Sequence, residues 1–312
     1  MSGTAAGAVS ATVPAVLVLA CRRPAFTERL LRFLVEGGAR DIFVAVDGPK
    51  DAPGDAALVE RTREVVRGFD LPASRLLLRQ RSLGGPKGVP EAIDWFFGAR
   101  DRGIILEDDL LPDASFLRLA AELLARYQDQ PRVGAIHGWS SQLSPPPHSY
   151  FFSRYAPGWG WATWASRWKD FDRESRLWFD ADPMRVLREA AQGDAAFVDW
   201  WSKVLQQVYT GAKNWDFRWI FTNFALQRVT ATAGVNLVDN TGFGEAASNT
   251  KERFFFLQPR TALQFPLSHP ADLQADARAD RHTQRTVYEW RPWMRLRYRL
   301  AGLLRPRAAA AS

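Results

Sequence analysis

The sequence predicts an α/β fold in which a mostly parallel, Rossmann-like sheet is flanked by helices. Over the first 110 residues, short apolar runs typical of buried strands alternate with segments whose apolar residues recur at helical spacing. This alternation implies right-handed crossovers and therefore parallel strands. The composition, with 46% hydrophobic and 24% charged residues, is typical of a globular enzyme and excludes a disordered or fibrous chain.

The predicted elements follow one another in a regular order. The helix predicted over 26–38 is an example. Its residues Leu30, Leu31 and Leu34 share one face, and a Gly-Gly pair ends the helix. Asp113 is placed to cap a later helix. Beyond about residue 150 the pattern changes to Trp-rich helical segments and loops. The predicted strands are 15–20, 41–48, 75–80, 103–109 and 133–138, and the other early helices are 55–68 and 88–100.

The net positive charge comes from the C-terminal end of the chain. Residues 281–312 carry eight arginines and one glutamate, which accounts for the whole net charge of +7. An enzyme acting on nucleic acid usually spreads positive charge over its working face, so no nucleic-acid partner is expected.

The single cysteine, Cys21, excludes an intrachain disulfide and a thiolate zinc site. No apolar run reaches the about 18 residues that a membrane span needs. The N-terminal apolar run predicts a first strand and not a signal peptide, and the single cysteine fits a reducing cytosol, so a cytoplasmic location is predicted.

Charged residues follow three of the predicted parallel strands, at the sheet edge where such folds bind ligands. Glu107-Asp108-Asp109 ends the fourth strand, Asp47 follows the second and Arg23 follows the first. Three adjacent carboxylates repel one another, and Mg²⁺ or Mn²⁺ would relieve that repulsion. Strand alternation predicts Glu107 and Asp109 on one side and Asp108 on the other. A solvated acidic turn is the alternative.

A glycine-rich loop over 84–88 precedes the third predicted helix. Its backbone N–H groups and Lys87 are expected near a phosphate group, but the loop lacks the P-loop pattern, so NTPase chemistry is not indicated. Taken singly, these features have ordinary alternatives. Asp47-Gly48 is also a turn dipeptide, and Arg22-Arg23 is also a surface cation pair.

Six segments of the chain carry a more specific pattern. They are AVLVLACRRPAFTERLLRFL, IFVAVDG, GIILEDDLLPDASFLRLAAELLARY, RYAPGWGWATWASRWKDFD, NWDFRW and VNLVDNTGFGE. Over roughly residues 14–270, the chain resembles bacterial GT-A glycosyltransferases related to the inverting N-acetylglucosaminyltransferase I family. The resemblance implies a GT-A fold, a nucleotide-diphosphate-sugar donor and a divalent metal ion.

The resemblance also implies roles for the charged edge residues. EDD is that family's variant of the DxD motif, which makes Asp109 the direct ligand of Mn²⁺ or Mg²⁺. Glu107 and Asp108 would contact the donor sugar and the ribose. Arg23 would contact the phosphates and Asp47 the base. Lys87 matches a lysine of the family's loop, although its neighbours differ.

The family's catalytic base is an aspartate in an aromatic-flanked, WDDW-like segment. The best match is Asp216 within NWDFRW, which has one aspartate where the family motif has two. The alternative is that Asp216 caps a helix over 217–228.

Aromatic residues and one histidine complete the predicted site. Ten of the 13 tryptophans lie between Trp139 and Trp219, and aromatic faces suit both apolar cores and sugar rings. His269 is predicted to reach the diphosphate or the metal, with a structural role as the alternative. The predicted platform for the acceptor or the donor sugar, otherwise a packed aromatic turn, consists of Trp159, Trp161 and Trp215.

These assignments predict a metal-dependent inverting glycosyltransferase. It would move a sugar from a nucleotide-diphosphate donor, with UDP-sugars favoured, to a hydroxyl acceptor in cell-surface glycan or glycolipid synthesis. The predicted divisions are a flexible N-terminus (1–13), a nucleotide-sugar-binding subdomain (14–145), an acceptor and catalytic subdomain of the same compact unit (146–287) and a basic amphipathic tail (288–312).

Two other functions are compatible with the sequence. A sugar nucleotidylyltransferase shares the α/β domain and the metal carboxylates, but it tends to have a Gly-rich loop after strand one, where this chain has CRRPAF. A non-catalytic carbohydrate-binding protein would not need all three acids of the EDD together with Asp216.

The tail over 288–312 predicts a second partner. Apolar residues such as Trp290 and Trp293 recur at helical spacing with arginines between them. This pattern favours peripheral attachment to the anionic inner face of the cytoplasmic membrane, and it suits a lipid-linked acceptor. The alternative is a solvated tail or one docked on the protein's own surface.

Overall fold

The computed structural model describes residues 12–211, 214–243 and 256–289. Ten strands are found in this part of the chain: β1 Val16–Ala20, β2 Ile42–Val46, β3 Leu76–Leu78, β4 Arg102–Glu107, β5 Leu110–Pro112, β6 Val133–His137, β7 Tyr150–Ser153, β8 Trp161–Trp164, β9 Val229–Ala233 and β10 Val238–Asn240. The α-helices are α1 Pro24–Glu36, α2 Asp55–Arg67, α3 Gly85–Ala99, α4 Ala114–Arg126, α5 Ala165–Trp168, α6 Arg176–Phe179, α7 Pro183–Ala191, α8 Ala195–Gly211, α9 Trp215–Ala225 and α10 Ala277–Thr283. A 3₁₀ turn over Ala73–Arg75 precedes β3, and a π-helix over Gln284–Tyr288 follows α10.

Eight strands form one large mixed sheet in the order β3-β2-β1-β4-β8-β6-β9-β7. The first four are all parallel, with β1 central and paired to β2 and β4. Of the seven neighbouring pairs, four are parallel, so the predicted Rossmann-like α/β architecture is confirmed at this level. Strands β5 and β10 form a separate two-stranded sheet.

Helices cover both faces of the large sheet. Side chains from one face of β1 pack with α1 and α4, and those from the other face pack with α3 and α9. Val16 and Val18 belong to the first layer and Leu17 and Leu19 to the second, as strand alternation requires. Both layers are buried, which explains why these strands read as continuous apolar runs.

Two features differ from the sequence-based expectation. Helix α3 begins at Gly85 rather than at residue 88, because Pro86 is compatible with a first helical turn. Lys87 is therefore on a helix and not in a loop. The region beyond 150 also contains β7, β8 and β9, which extend the same sheet. These strands have only four or five residues, and all of them are buried.

The third apolar cluster lies around α7, α8 and α9, and the π-helix packs against it through Tyr288. Asp113 caps α4 as predicted, because its side chain accepts a hydrogen bond of 2.8 Å from Ser115 N.

No helix within the described ranges is long and apolar enough to cross a membrane. Of the predicted tail, residues 290–312 lie outside the described residues, as do residues 1–11 of the predicted flexible N-terminus.

Candidate active site

The charged residues predicted at the sheet edge do lie at one edge. Val46 pairs with Ala20, and Glu107 pairs with Leu19, so β1, β2 and β4 end side by side. The ladder continues one residue further, because Asp47 N donates to Ala20 O and Asp108 N donates to Leu19 O, each at 2.9 Å. The parallel register alone therefore brings the three strand ends together.

Asp108 and Asp109 form a two-residue turn between β4 and β5, here named the acid turn. The guanidinium of Arg23 bridges it: Nη2 lies 2.6 Å from Asp108 Oδ1 and Nη1 lies 2.6 Å from Asp109 Oδ2. The prediction that Asp108 and Asp109 lie on opposite sides is wrong, because both contact Arg23. Alternation stops at Glu107, the last strand residue, and the turn places both aspartates against Arg23.

The segment after β10 covers the acid turn. Thr241 N and Thr241 Oγ1 each donate a hydrogen bond of 2.9 Å to Asp109 O. A methyl group on Gly242 would lie 1.9 Å from Asp109 Oδ2, so only glycine allows this close approach. Thr241 and Gly242 lie in the segment VNLVDNTGFGE, but the sequence did not place them at the acid turn, because the β5–β10 pairing that brings them here joins distant parts of the chain.

Burial raises the pKa values of two carboxylates in this cluster. The pKa of Asp108 is raised to about 7, chiefly by burial and against the lowering effect of Arg23. The pKa of Glu107 is also raised, by burial and then by the charges of Asp109, Asp108 and Asp216. Without a further cation, the site therefore favours protonation of these carboxylates, because the single charge of Arg23 does not offset their burial and mutual repulsion.

Asp216 belongs to the same electrostatic cluster, because its charge contributes to the raised pKa of Glu107. It lies in the first turn of α9, which Asn214 begins with a left-handed φ of 55° and without a side-chain cap. Burial raises the pKa of Asp216 to about 6, although backbone N–H groups of the helix start oppose the shift. The Gly-Trp-Gly-Trp loop lies against it, since a methyl group on Gly158 would be 3.6 Å from Asp216 Cβ.

The π-helix supplies a neighbour that sequence reasoning missed. The Tyr288 ring contacts Trp201 and Tyr155, each at 5.0 Å between centroids, and Phe217 at 6.2 Å. The charge of Asp216 contributes, after burial, to raising the pKa of Tyr288. Insertions of π type are frequent at functional sites, but a single sequence carries no pattern that marks one.

The Asp47 carboxylate holds the segment before α3. It accepts hydrogen bonds from Ser82 Oγ at 2.8 Å, Leu83 N at 3.1 Å and Gly84 N at 3.2 Å. These bonds fix the entry to α3. A nucleotide base that contacted Asp47, as predicted, would therefore share a carboxylate that already accepts three hydrogen bonds.

Lys87 lies on the rim of a cleft of about 330 Å³ between the starts of α3 and α9. Its ammonium group is exposed and 3.7 Å from Glu91 Oε1. Both apolar and charged residues line the cleft. Its lining residues include Pro86, Pro90, Phe171, Arg173, Trp215 and Arg218.

The three predicted platform tryptophans do not form one exposed surface. Trp161 is 1% exposed and packs between Trp215 and Trp168, so it offers no face to a sugar ring and its predicted role is wrong. Its place in β8, with neighbours on both sides, is the physical reason. Trp215 is mostly buried but borders the cleft. Trp159 is partly buried against Trp139.

The structure does not bring His269 to the acid turn. His269 Nδ1 lies 3.0 Å from the Tyr150 hydroxyl, and Nε2 lies 3.5 Å from Glu122 Oε1. Tyr150 is on β7, four strands away from β4. The structural alternative therefore describes His269 better than the predicted contact with a diphosphate or metal.

The acid turn nevertheless suits a divalent cation. Its donors are carboxylate oxygens, which Mg²⁺ and Mn²⁺ prefer, and a positively charged group, the Arg23 guanidinium, already lies between them. Within the described ranges, no group of three or more His, Cys, Asp or Glu side chains is arranged to hold a metal ion. An ion here would thus depend on one or two carboxylates, with the substrate and water as its other ligands.

Comparison of the chain with protein-family models finds no match, and comparison with curated proteins finds none either.

Proposed function

We propose that this protein is a metal-dependent inverting glycosyltransferase of GT-A type that uses a nucleotide-diphosphate sugar. The observation that carries the proposal is the convergence of Arg23, the acid turn and Glu107 at one sheet edge, within electrostatic range of Asp216. Such an edge offers cationic and anionic groups for a donor beside a separate base for an acceptor.

The donor side of the reaction rests on Arg23 and the carboxylates. Asp109, assisted by Asp108, would hold the Mn²⁺ or Mg²⁺, which when bound supplies positive charge to the leaving diphosphate. Arg23 stands at the N-cap of α1, where its guanidinium and the helix N-terminus both favour phosphate oxygens. Glu107 would accept hydrogen bonds from hydroxyl groups of the donor.

The acceptor side rests on Asp216. With its pKa raised to about 6, Asp216 is mostly ionised at neutral pH and is still basic enough to take a proton from an attacking hydroxyl. Attack from the face opposite the diphosphate is a single displacement and gives inversion. The cleft bordered by Trp215 and Arg218 is adjacent to this aspartate along α9 and would hold the rest of the acceptor.

The experiment that tests this proposal measures nucleoside diphosphate released from UDP- and GDP-sugars, with and without Mn²⁺, over a panel of hydroxyl acceptors. We expect Mn²⁺-dependent release that requires Asp216, and NMR of the product should show an inverted anomeric centre. Formation of pyrophosphate from a nucleoside triphosphate and a sugar phosphate would indicate a nucleotidylyltransferase instead. Sugar binding without turnover of any donor would indicate a non-catalytic binding protein.

A further inference from the structure

The Arg23 guanidinium is shared between two carboxylates and not paired with one. Its two terminal nitrogens reach different residues, Asp108 and Asp109, each at 2.6 Å. A guanidinium more often binds both oxygens of a single carboxylate. In this arrangement Arg23 provides one positive charge to two adjacent, buried negative groups, of which Asp108 is 2% exposed.

At the acid turn, Arg23 and a metal ion would use the same two carboxylates. Mg²⁺ binds carboxylate oxygens at about 2.0–2.1 Å, and Arg23 Nη1 is 2.6 Å from Asp109 Oδ2. Gly242 lies close to both groups, because a methyl group on it would be 1.9 Å from Asp109 Oδ2 and 2.9 Å from Arg23 Nη1. Two cations so close to one oxygen would also repel each other strongly.

We propose that Arg23 is a built-in counter-cation that competes with the divalent ion for Asp108 and Asp109, and that it moves to the donor diphosphate when the ion binds. The inference rests on the proposed function, since the diphosphate gives Arg23 its second partner. It implies that the ion binds weakly by itself and tightly together with the donor.

The backbone around Arg23 is suited to such a movement. Arg23 O accepts hydrogen bonds from Thr27 N and Thr27 Oγ1, both at 3.0 Å, which fixes the main chain at the start of α1. The long side chain can then change partners without a change of fold. The diphosphate would arrive at the same helix N-terminus, so the distance to be covered is short.

The adjacent Arg22 provides a matched control. It pairs with Asp55 Oδ1 at 3.1 Å, and Asp55 also accepts a hydrogen bond of 2.7 Å from Lys50 N. Arg22 therefore holds the start of α2 and not the acid turn. Replacing Arg22 removes the same charge one residue away from the proposed competitor.

The test measures Mn²⁺ binding by the full chain without any donor, using electron paramagnetic resonance of free Mn²⁺ and the shift in Tm on adding Mn²⁺. We expect Arg23→Gln to bind Mn²⁺ at least about tenfold more tightly than the wild type, and to gain more Tm from it. Arg22→Gln should match the wild type. Adding Asp109→Asn to Arg23→Gln should abolish the gain, which locates the ion at the acid turn.

Arg23→Gln leaves a buried aspartate unpaired and can reduce folding. The double variant Arg23→Gln/Asp108→Asn removes that problem, keeps Asp109, and should also bind Mn²⁺ more tightly than the wild type. An unchanged or weaker affinity in both folded variants would overturn the inference and leave the proposed function standing. If neither the wild type nor the variants bound Mn²⁺, the inference and the metal dependence would fail together, and donor turnover without metal would still be measured separately.

Discussion

At the scale of single residues, Asp109 and Asp216 have different roles in the proposed reaction. Asp109 lies in the acid turn with its carboxylate at the positive end of Arg23, whereas Asp216 lies on a helix with no ion pair to an arginine or lysine among the described residues. The first environment places the carboxylate beside a guanidinium, where a donor and an ion would bind. The second raises the pKa and produces a base.

Asp109→Ala should abolish metal-dependent transfer while the fold is retained, because the ion loses its direct carboxylate. Donor turnover is measured at saturating Mn²⁺, and circular dichroism checks the fold. EDTA should inhibit the wild type for the same reason. Wild-type turnover by the variant at high Mn²⁺ would show that Asp109 does not hold the ion.

Asp216→Asn should lower kcat by about two to four orders of magnitude, the usual contribution of a general base, with nearly unchanged donor affinity. In the wild type, kcat should rise as the pH increases through about 6, because deprotonation of Asp216 creates the base. The variant should lack this rise. Loss of donor binding in Asp216→Asn would instead assign the residue to the donor or to the structure of α9.

At the scale of elements, short β pairings and the last helical segment build the site walls. The β5–β10 pair brings Gly242 over the acid turn, and the π-helix brings Tyr288 next to the start of α9. Neither element carries a proposed reacting group. Both determine where the reacting groups can lie.

Gly242→Ala should reduce Mn²⁺-dependent turnover by about tenfold or more, because the added methyl group would lie 1.9 Å from Asp109 Oδ2 and must displace it. The matched control is Gly98→Ala in the exposed part of α3, where a methyl group meets no atom within 4 Å. That control should keep full turnover and gain about 0.5–1 kcal/mol in the free energy of unfolding. Equal turnover in both variants would show that the cover over the acid turn adapts freely.

At the scale of the whole molecule, both halves of the chain contribute strands to one sheet, and the described structure ends next to the candidate site. Gln284 Oε1 accepts hydrogen bonds from Tyr155 at 2.6 Å and Trp201 at 2.9 Å, which anchors the π-helix in the core. A truncation meant to remove only the basic tail must therefore keep Tyr288 and Glu289.

A chain ending at residue 289 should retain donor turnover and lose binding to anionic vesicles, because it lacks the arginines and tryptophans of 290–312. A chain ending at residue 287 should lose vesicle binding too, and its turnover and Tm should also fall, because Tyr288 is gone from the aromatic cluster. Co-sedimentation at low salt and donor turnover are measured on all three chains. Equal vesicle binding by the full chain and the 289 truncation would remove the membrane proposal.

The sequence by itself determined the parallel half of the sheet and the edge at which its charged residues gather. Both depend on local patterns, namely apolar runs, helical spacing and the rule that parallel strands present their carboxyl ends together. It also placed Asp113 as a cap, since capping involves residues within one turn. The short strands β7, β8 and β9 were missed, because they have only four or five residues and lie in a region whose many tryptophans indicated helices and loops.

Only the tertiary structure decided which groups meet. Arg23 pairs with Asp109 across 86 residues, and Tyr288 reaches the start of α9 from the far end of the described chain. The tertiary structure also buries Trp161 in the core and places His269 beside Tyr150. A side chain's type limits the chemistry it can perform, but its partners and its pKa depend on burial and on charges brought in from distant segments, and these exist only once the chain has folded.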